Sequence, residues 1–154
     1  DRPACCAHVR TPPYILPAAA GWPIVIQMGK PLTIAVKRIY DPPALSDGAR
    51  FLVDRLWPRG VSKEKAALTA WLKPLSPSDA MREQFHHATA GSDAAWDAFR
   101  QEYFAALDAG GGEIAAALAT LDAAASAGPV TLLYAAKDEE RNNAVALREW
   151  LERR

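Results

Sequence analysis

Three stretches of the chain are apolar in nearly unbroken runs and rich in β-branched residues. Residues 33–39, 51–56 and 130–135 each read as a strand. Their centres show little polar alternation, the pattern of strands covered on both faces, as in a parallel sheet. Breakers bound each run. Asp41-Pro42-Pro43 stops the first, because proline lacks the amide that a ladder needs. Trp57-Pro58-Arg59-Gly60 closes the second, and Gly128-Pro129 launches the third.

Between the second and third strands the apolar period changes to that of helices. Ser76-Pro77-Ser78-Asp79 predicts a helix start, with Ser76 as cap and proline at the first position, running to about His86. Ser92 caps the next, where Trp96, Phe99, Tyr103 and Leu107 form one apolar stripe. Gly110-Gly111-Gly112 breaks it, and Ile114, Leu118, Leu121 and Ala125 mark a further helix that Gly128-Pro129 ends. The alanines of 105–127 are helix-forming filler. A last helix is expected from near Asp138, carrying Ala144, Leu147 and Leu151. Residues 61–73 read two ways: Ser62 caps a short helix, or Trp71 and Leu72 are extended. The order predicts one α/β domain, a three-layer sandwich with a mostly parallel central sheet and helices on both faces.

Composition narrows this little. At 154 residues, 50% hydrophobic and 23% charged, the chain suits one globular domain and excludes a disordered tail, a fibre and a disulfide-dense mini-protein. Basic and acidic residues both number 18, which argues against a globally basic nucleic-acid binder. The charge is uneven, however. Residues 30–73 carry a net +5 and residues 83–127 a net −6, which predicts a basic region and an acidic helical face. Residues 1–27 hold five prolines, both cysteines and no period. They are expected to be a non-native or disordered leader before a start at Met28, the alternative being a genuine extension packed on the surface. Neither a signal peptide nor the ~20 apolar residues of a membrane span is evident. Cys5 and Cys6 have no partners elsewhere, so no disulfide framework is expected, and a cytoplasmic setting follows.

In open α/β sheets ligands collect beyond the carboxyl ends of the strands. Three groups of residues converge there: Lys37, Arg38 and Tyr40; Asp54, Arg55, Trp57, Arg59 and Lys63; and Tyr134, Lys137, Asp138 and Asn142. Arg55 and Arg59 carry guanidinium groups, which grip phosphate or carboxylate at two points. Lys63 sits at the start of a possible helix, where amides also favour anions. For Asp54 the structural reading is an ion pair at the sheet edge and the functional one a general base. Trp57 either stacks on a ligand ring or seals the core. Asp138 is expected to cap the last helix, its functional alternative being a general base or ligand contact. Asn142 falls one turn later on the same face. Lys137 binds an anion or moves a proton. His86 and His87 end a helix and lack the further ligands that a metal site needs. No nucleophile elbow, Walker loop or dinucleotide fingerprint occurs, and no cofactor is expected.

The run Val36-Lys-Arg-Ile-Tyr-Asp-Pro-Pro43, then Leu52-Val-Asp-Arg-Leu-Trp-Pro-Arg-Gly60, Ser62-Lys-Glu-Lys65, Trp71-Leu-Lys73 and Leu132-Leu-Tyr-Ala-Ala-Lys-Asp138, resembles the domain-of-unknown-function family 488, in its short YeaO-like branch. The likeness spans about 33–151. It implies a small bacterial or archaeal α/β sandwich of Rossmann-like character with no settled activity. It also implies that Asp54, Arg55, Trp57, Arg59, Lys63, Lys137, Asp138 and Asn142 match recurrent charged and aromatic positions. The family often has histidine-aspartate-proline where this chain has His87-Ala88-Thr89, and histidine where it has Asn143, so a histidine mechanism does not carry over. The cysteines that longer relatives carry after the last strand are absent as well.

The expectation is a strand-end pocket for a small phosphate- or carboxylate-bearing molecule, with the enzyme reading left open. Arg55, Arg59 and Lys63 would bind the anion, Trp57 and Tyr134 would line the site, and Asn142 would orient the ligand. Asp54, Lys137 and Asp138 are the candidate catalytic groups. The alternative is a non-catalytic module that holds nucleic acid or a protein through the basic region 30–73. A third reading docks a basic protein on the acidic helical face.

Overall fold

Among the described residues four strands make one sheet, all parallel, in the order β1-β4-β2-β3. They are β1 Ile34–Arg38, β2 Ala49–Leu52, β3 Ala70–Trp71 and β4 Val130–Tyr134. The computed structural model describes residues 32–88 and 92–154, so the expectations for the leader at 1–27 and for Met28 lie outside the described residues. The central strand β4 is buried along its whole length, as its unbroken apolar run predicts. It aligns Ile34 with Val130 on one side and Phe51 with Leu132 on the other.

The described residues include five helices: α1 Lys63–Ala66, α2 Asp79–His87, α3 Asp93–Ala109, α4 Gly112–Ala127 and α5 Asn143–Glu152. Their cover of the sheet is unequal. The larger core joins Val130 and Leu132 of β4 and Phe51 of β2 to Phe99, Tyr103 and Leu107 of α3, Leu121 of α4, and Leu147 and Leu151 of α5. The smaller core holds Leu52, Leu133 and Ile39 with Ala66 of α1, flanked by Trp57, Val61 and Leu68. Where helices were expected on both faces, the second core receives only the short α1 among the described residues. The bend of 96° between α3 and α4 follows the glycine break, where Gly110 has φ +64°. No single described helix is long and apolar enough to cross a membrane.

Several boundaries differ from the sequence pattern, each for a local reason. The second strand ends at Leu52, not Leu56. Val53 still donates to the Leu133 carbonyl at 3.1 Å, but the Ala135 amide then bonds the Asp54 side chain at 2.9 Å. A carboxylate thus replaces the next rung of the ladder. Residues 61–73 contain both of the alternatives: Ser62 caps α1 by accepting from the Lys65 amide, and Ala70–Trp71 form an edge strand. Ser78, not Ser76, caps α2, accepting from the Met81 amide at 3.2 Å, while Ser76 closes a 3-10 turn over Lys73–Leu75. The last helix starts at Asn143 rather than near Asp138. Asn142 is its cap, accepting from the Val145 amide at 3.0 Å.

A buried ion cluster ties the start of β2 to β1. Asp47 is bonded to Arg50, and its two oxygens lie 3.1 Å from Lys37 Nζ. Arg50 also donates to the Ala66 carbonyl from Nε and Nη2 at 3.2 and 3.1 Å. The cluster therefore fixes α1 as well as the sheet. Lys37 is committed to this cluster and to the Pro42 carbonyl.

Candidate functional site

The loops leaving β2 and β4 face each other across a cleft of about 720 Å³, closed on its far side by α2 and by Phe99 of α3. This is the crevice expected at strand carboxyl ends, and its size suits a small organic ligand. The position follows from the chain: β4 lies between β1 and β2, so the loops after all three strands open on one edge.

Asp54 sits at the base. Its Oδ2 accepts the Ala135 amide at 2.9 Å and its Oδ1 accepts Asn143 Nδ2 at 3.0 Å. Asn143 also donates to the Val53 carbonyl at 2.8 Å, so one amide group holds both strand end and carboxylate. Burial pushes the Asp54 carboxyl above its ordinary range, against the lowering effects of Asn143, the Ala135 amide and the Arg82 charge. The Asp54 carbonyl accepts Trp71 Nε1 at 2.7 Å. Trp71 in turn meets Trp57 edge-to-face with centroids 5.6 Å apart. Trp57 donates to the Val61 carbonyl at 2.8 Å and is half-buried beside the smaller core while also lining the cleft.

Positive groups ring the opening. Arg55 and Arg82 each contact Asp79 at 3.0 Å, on different oxygens. Asp79, in the first turn of α2, thus holds one guanidinium from the β2 loop beside one from the helix. Arg141 is paired with Asp93. Arg59 and Lys137 line the cleft with no side-chain partner among the described residues. The apolar wall is made by Leu56, Trp57, Phe85 and Phe99, with Phe85 and Phe99 centroids 5.0 Å apart. His86 reaches the rim.

Of the residues singled out from the sequence, Asp54, Arg55, Trp57, Arg59, Lys137, Asp138 and Asn142 are brought together in this cleft. Lys63, the first residue of α1, does not line it. Tyr134 does not line it either: it is 3% exposed in the larger core, and burial raises its phenol above the usual value. Asp138 does not cap α5. Its Oδ1 accepts the Glu140 and Arg141 amides, both at 2.9 Å, forming a turn that precedes the helix. Asn142 is 3% exposed and bonds the Asp138 carbonyl as well as the Val145 amide. Its polar atoms serve the helix end.

Sequence reasoning passed over Arg82, Phe85 and Arg141, and met Asn143 only as a position where the family often has histidine. The spacing of Asp79 and Arg82, three apart in a helix start, was the available signal for one of them. The local pattern gave no signal for the contacts of Asn143, because its partners Val53 and Asp54 lie 90 and 89 positions away in the chain. Among the described residues no three His, Cys, Asp or Glu side chains are grouped to hold a metal. The residues lining the cleft include no serine, threonine or cysteine.

Comparison with known proteins extends this picture. A family model described as the inactive DUF488-N3 subclade matches residues 33–154. The uncharacterized protein YeaO of Escherichia coli is 42% identical over 120 residues, covering 78% of this chain and 97% of that protein. Uncharacterized proteins of Mycobacterium bovis and Mycobacterium tuberculosis are 32% identical over 118 residues, covering 77% of this chain and 92% of theirs. No solved structure gives a significant match.

Proposed function

The chain belongs to the DUF488 family, within the subclade described as inactive, and on that premise we propose that its strand-end cleft binds a small anionic ligand without transforming it. The observation that carries this reading is the pair Arg59 and Lys137. They line one cleft from two loops, and neither is neutralised by a side chain of the described residues. Two cations without a side-chain partner, beside an apolar wall in a cleft that Asp54 and Asp138 also line, suit recognition of a carboxylate or phosphate. The Arg55–Asp79–Arg82 group adds a third cationic element.

Three points favour binding over catalysis. The family description says inactive. Among the described residues no serine, threonine or cysteine lines the cleft. Both oxygens of Asp54, the carboxylate best placed to move a proton, already accept hydrogen bonds. The Rossmann-like reading of the sheet supports the same position for the ligand, and the cysteine usage supports a cytoplasmic setting.

The test is a thermal-shift screen against nucleotides, sugar phosphates, small carboxylates and short oligonucleotides. A ligand present at a hundred times its Kd adds about 2.7 kcal/mol to the native state. The Arg59→Ala protein is expected to lose the shift for the small anion and keep its own melting temperature, because Arg59 makes no side-chain contact that folding uses. A melting temperature that collapses in the variant, with ligand response intact, would overturn the assignment.

The basic region 30–73 offers less to a macromolecular partner. Lys37 and Arg50 are spent on Asp47, Arg55 on Asp79, and Arg38 on the Ala136 carbonyl. Oligonucleotide affinity that falls steeply with salt would restore that alternative.

A further inference from the structure

The loops that carry Arg59 and Lys137 are joined twice. At the base of the cleft the Asp54 carboxylate accepts the Ala135 amide at 2.9 Å. A second set of ties comes from the end of β1. Arg38 Nε donates to the Ala136 carbonyl at 3.1 Å, one residue before Lys137. The Tyr40 hydroxyl donates to the carbonyl of Arg59 at 3.2 Å. The Arg38 guanidinium lies over the Tyr40 ring, 5.3 Å from its centroid. Both anchors are backbone carbonyls, so neither tie occupies the side chain of Arg59 or Lys137.

The pair projects from a fixed point. Arg38 closes β1, and its carbonyl accepts the Asp41 amide at 3.1 Å in a turn centred on Ile39 and Tyr40. Ile39 is 3% exposed in the smaller core and donates its amide to the Tyr134 carbonyl at 2.9 Å. The Arg59 loop has little other support. Trp57 Nε1 closes it on the Val61 carbonyl at 2.8 Å, and Gly60 turns it with φ +74°.

From this geometry we infer that Arg38 and Tyr40 are positioning residues of the cleft: one stacked pair holds the backbone of both cation-bearing loops and couples the order of one to the order of the other. The inference rests on the anion-binding reading above and deepens it. A ligand that must first order a loop binds more weakly by that cost, and a loop held in place beforehand removes it. The coupling follows from how the ties are shared. The Tyr40 hydroxyl serves the Arg59 loop alone. The Tyr40 ring supports Arg38, which serves the Lys137 loop. Loss of the hydroxyl therefore releases one loop, and loss of the ring releases both.

NMR relaxation of the backbone amides in the full, ligand-free chain tests the coupling. Tyr40 is 49% exposed, so its variants are expected to fold. In Tyr40→Phe, which keeps the ring, order parameters should fall from about 0.85 toward about 0.6 at 59–61 and hold at 136–138. In Tyr40→Leu, which removes the ring, they should fall in both segments. Titration with inorganic phosphate, followed at the cleft amides, tests the positioning. Tyr40→Phe should weaken phosphate by about threefold to tenfold, the size of one net hydrogen bond. In an Arg59→Ala background the same substitution should change nothing further, because Tyr40 acts through the Arg59 loop. Unchanged order at 136–138 in Tyr40→Leu would overturn the coupling. A Tyr40→Phe loss that persists in full in Arg59→Ala would mean that the hydroxyl touches the anion itself and would overturn the positioning role. So would a lower melting temperature in Tyr40→Phe with phosphate affinity intact, which marks a stabilising contact only. Wild-type cleft amides that respond neither to phosphate nor to acetate would remove the anion reading and the positioning role with it, while the relaxation data would still decide the coupling.

Discussion

Asp54 and Asp47 are two carboxylates pulled in opposite directions, and the difference is measurable. At Asp54 burial raises the carboxyl above its unfolded value, and the Asn143 and Ala135 donors do not restore it. The folded state therefore holds that proton more tightly than the unfolded chain. Its share of stability is full below the ordinary carboxyl value and is lost as pH rises through the folded one. At Asp47 burial also raises, but the Ala44 amide, Lys37 and Arg50 together outweigh it and the carboxyl is lowered. Its share is present above the ordinary value and is lost as pH falls through the folded one. Denaturant titrations across the acid range are expected to show this. Asp54→Asn should remove a gain of stability on acidification, and Asp47→Asn should remove a loss. Parallel pH profiles for wild type and Asp54→Asn would refute the first. At this scale the position of a side chain was legible where it lies near its own strand end, as with Asp54, Arg59 and Lys137 in the cleft lining. It was not legible where the partner is remote. Nothing in the local pattern around Asn143 announces Val53, and nothing around Tyr134 tells a buried strand residue from a cleft residue.

Caps and turns decide where the elements begin. In the segment before α5, Asp138 and Asn142 are both good cap residues, and the sequence pattern favours the earlier one. The structure uses both: Asp138 closes a turn over two amides, and Asn142 then caps the helix. The second cap is needed because the turn, not the helix, carries Lys137 to the cleft rim. Asn142→Ala should cost about 1–2 kcal/mol by denaturant unfolding, toward the upper end of cap substitutions because the site is buried. Ser78 and Ser76 show the same ambiguity two residues apart, and the 3-10 turn at Lys73–Leu75 resolves it by using up Ser76. The ion cluster at the start of β2 has larger stakes. Asp47→Ala strands the buried Arg50, which is 4% exposed, and should cost about 3–5 kcal/mol. A loss below 1 kcal/mol would show that Arg50 finds water or another partner. Gly48 stands next to it with φ +63°, and a Cβ there would lie 2.1 Å from the Pro129 carbonyl oxygen. Only glycine lets β2 start so close to β4.

Among the described residues the sheet is held firmly from one side and lightly from the other. The larger core draws on α3, α4 and α5, whereas the smaller one rests on Ala66 of a four-residue helix and on loop residues Trp57, Val61 and Leu68. The parallel strands and the long helical stripes were readable because periodicity reports burial. The imbalance was not, since strands covered by a helix and strands covered by packed loops have the same apolar run. The thin side is also the side that delivers Trp57 and, just beyond it, Arg59 to the cleft, so binding and local stability meet in one loop. Loops with few buried contacts open at low free energy. Amide hydrogen exchange is therefore expected to be fastest in residues 55–66 and slowest in β4 and α5. A saturating anionic ligand found by the thermal-shift screen should slow exchange in 56–60 and 136–141 together, because Arg38 and Tyr40 couple those loops. The interior of α4, which lies outside the cleft, should be unchanged. Protection confined to one loop would mean that the two cations act separately. Protection spread evenly over the chain would mean that the ligand stabilises the fold without engaging the cleft.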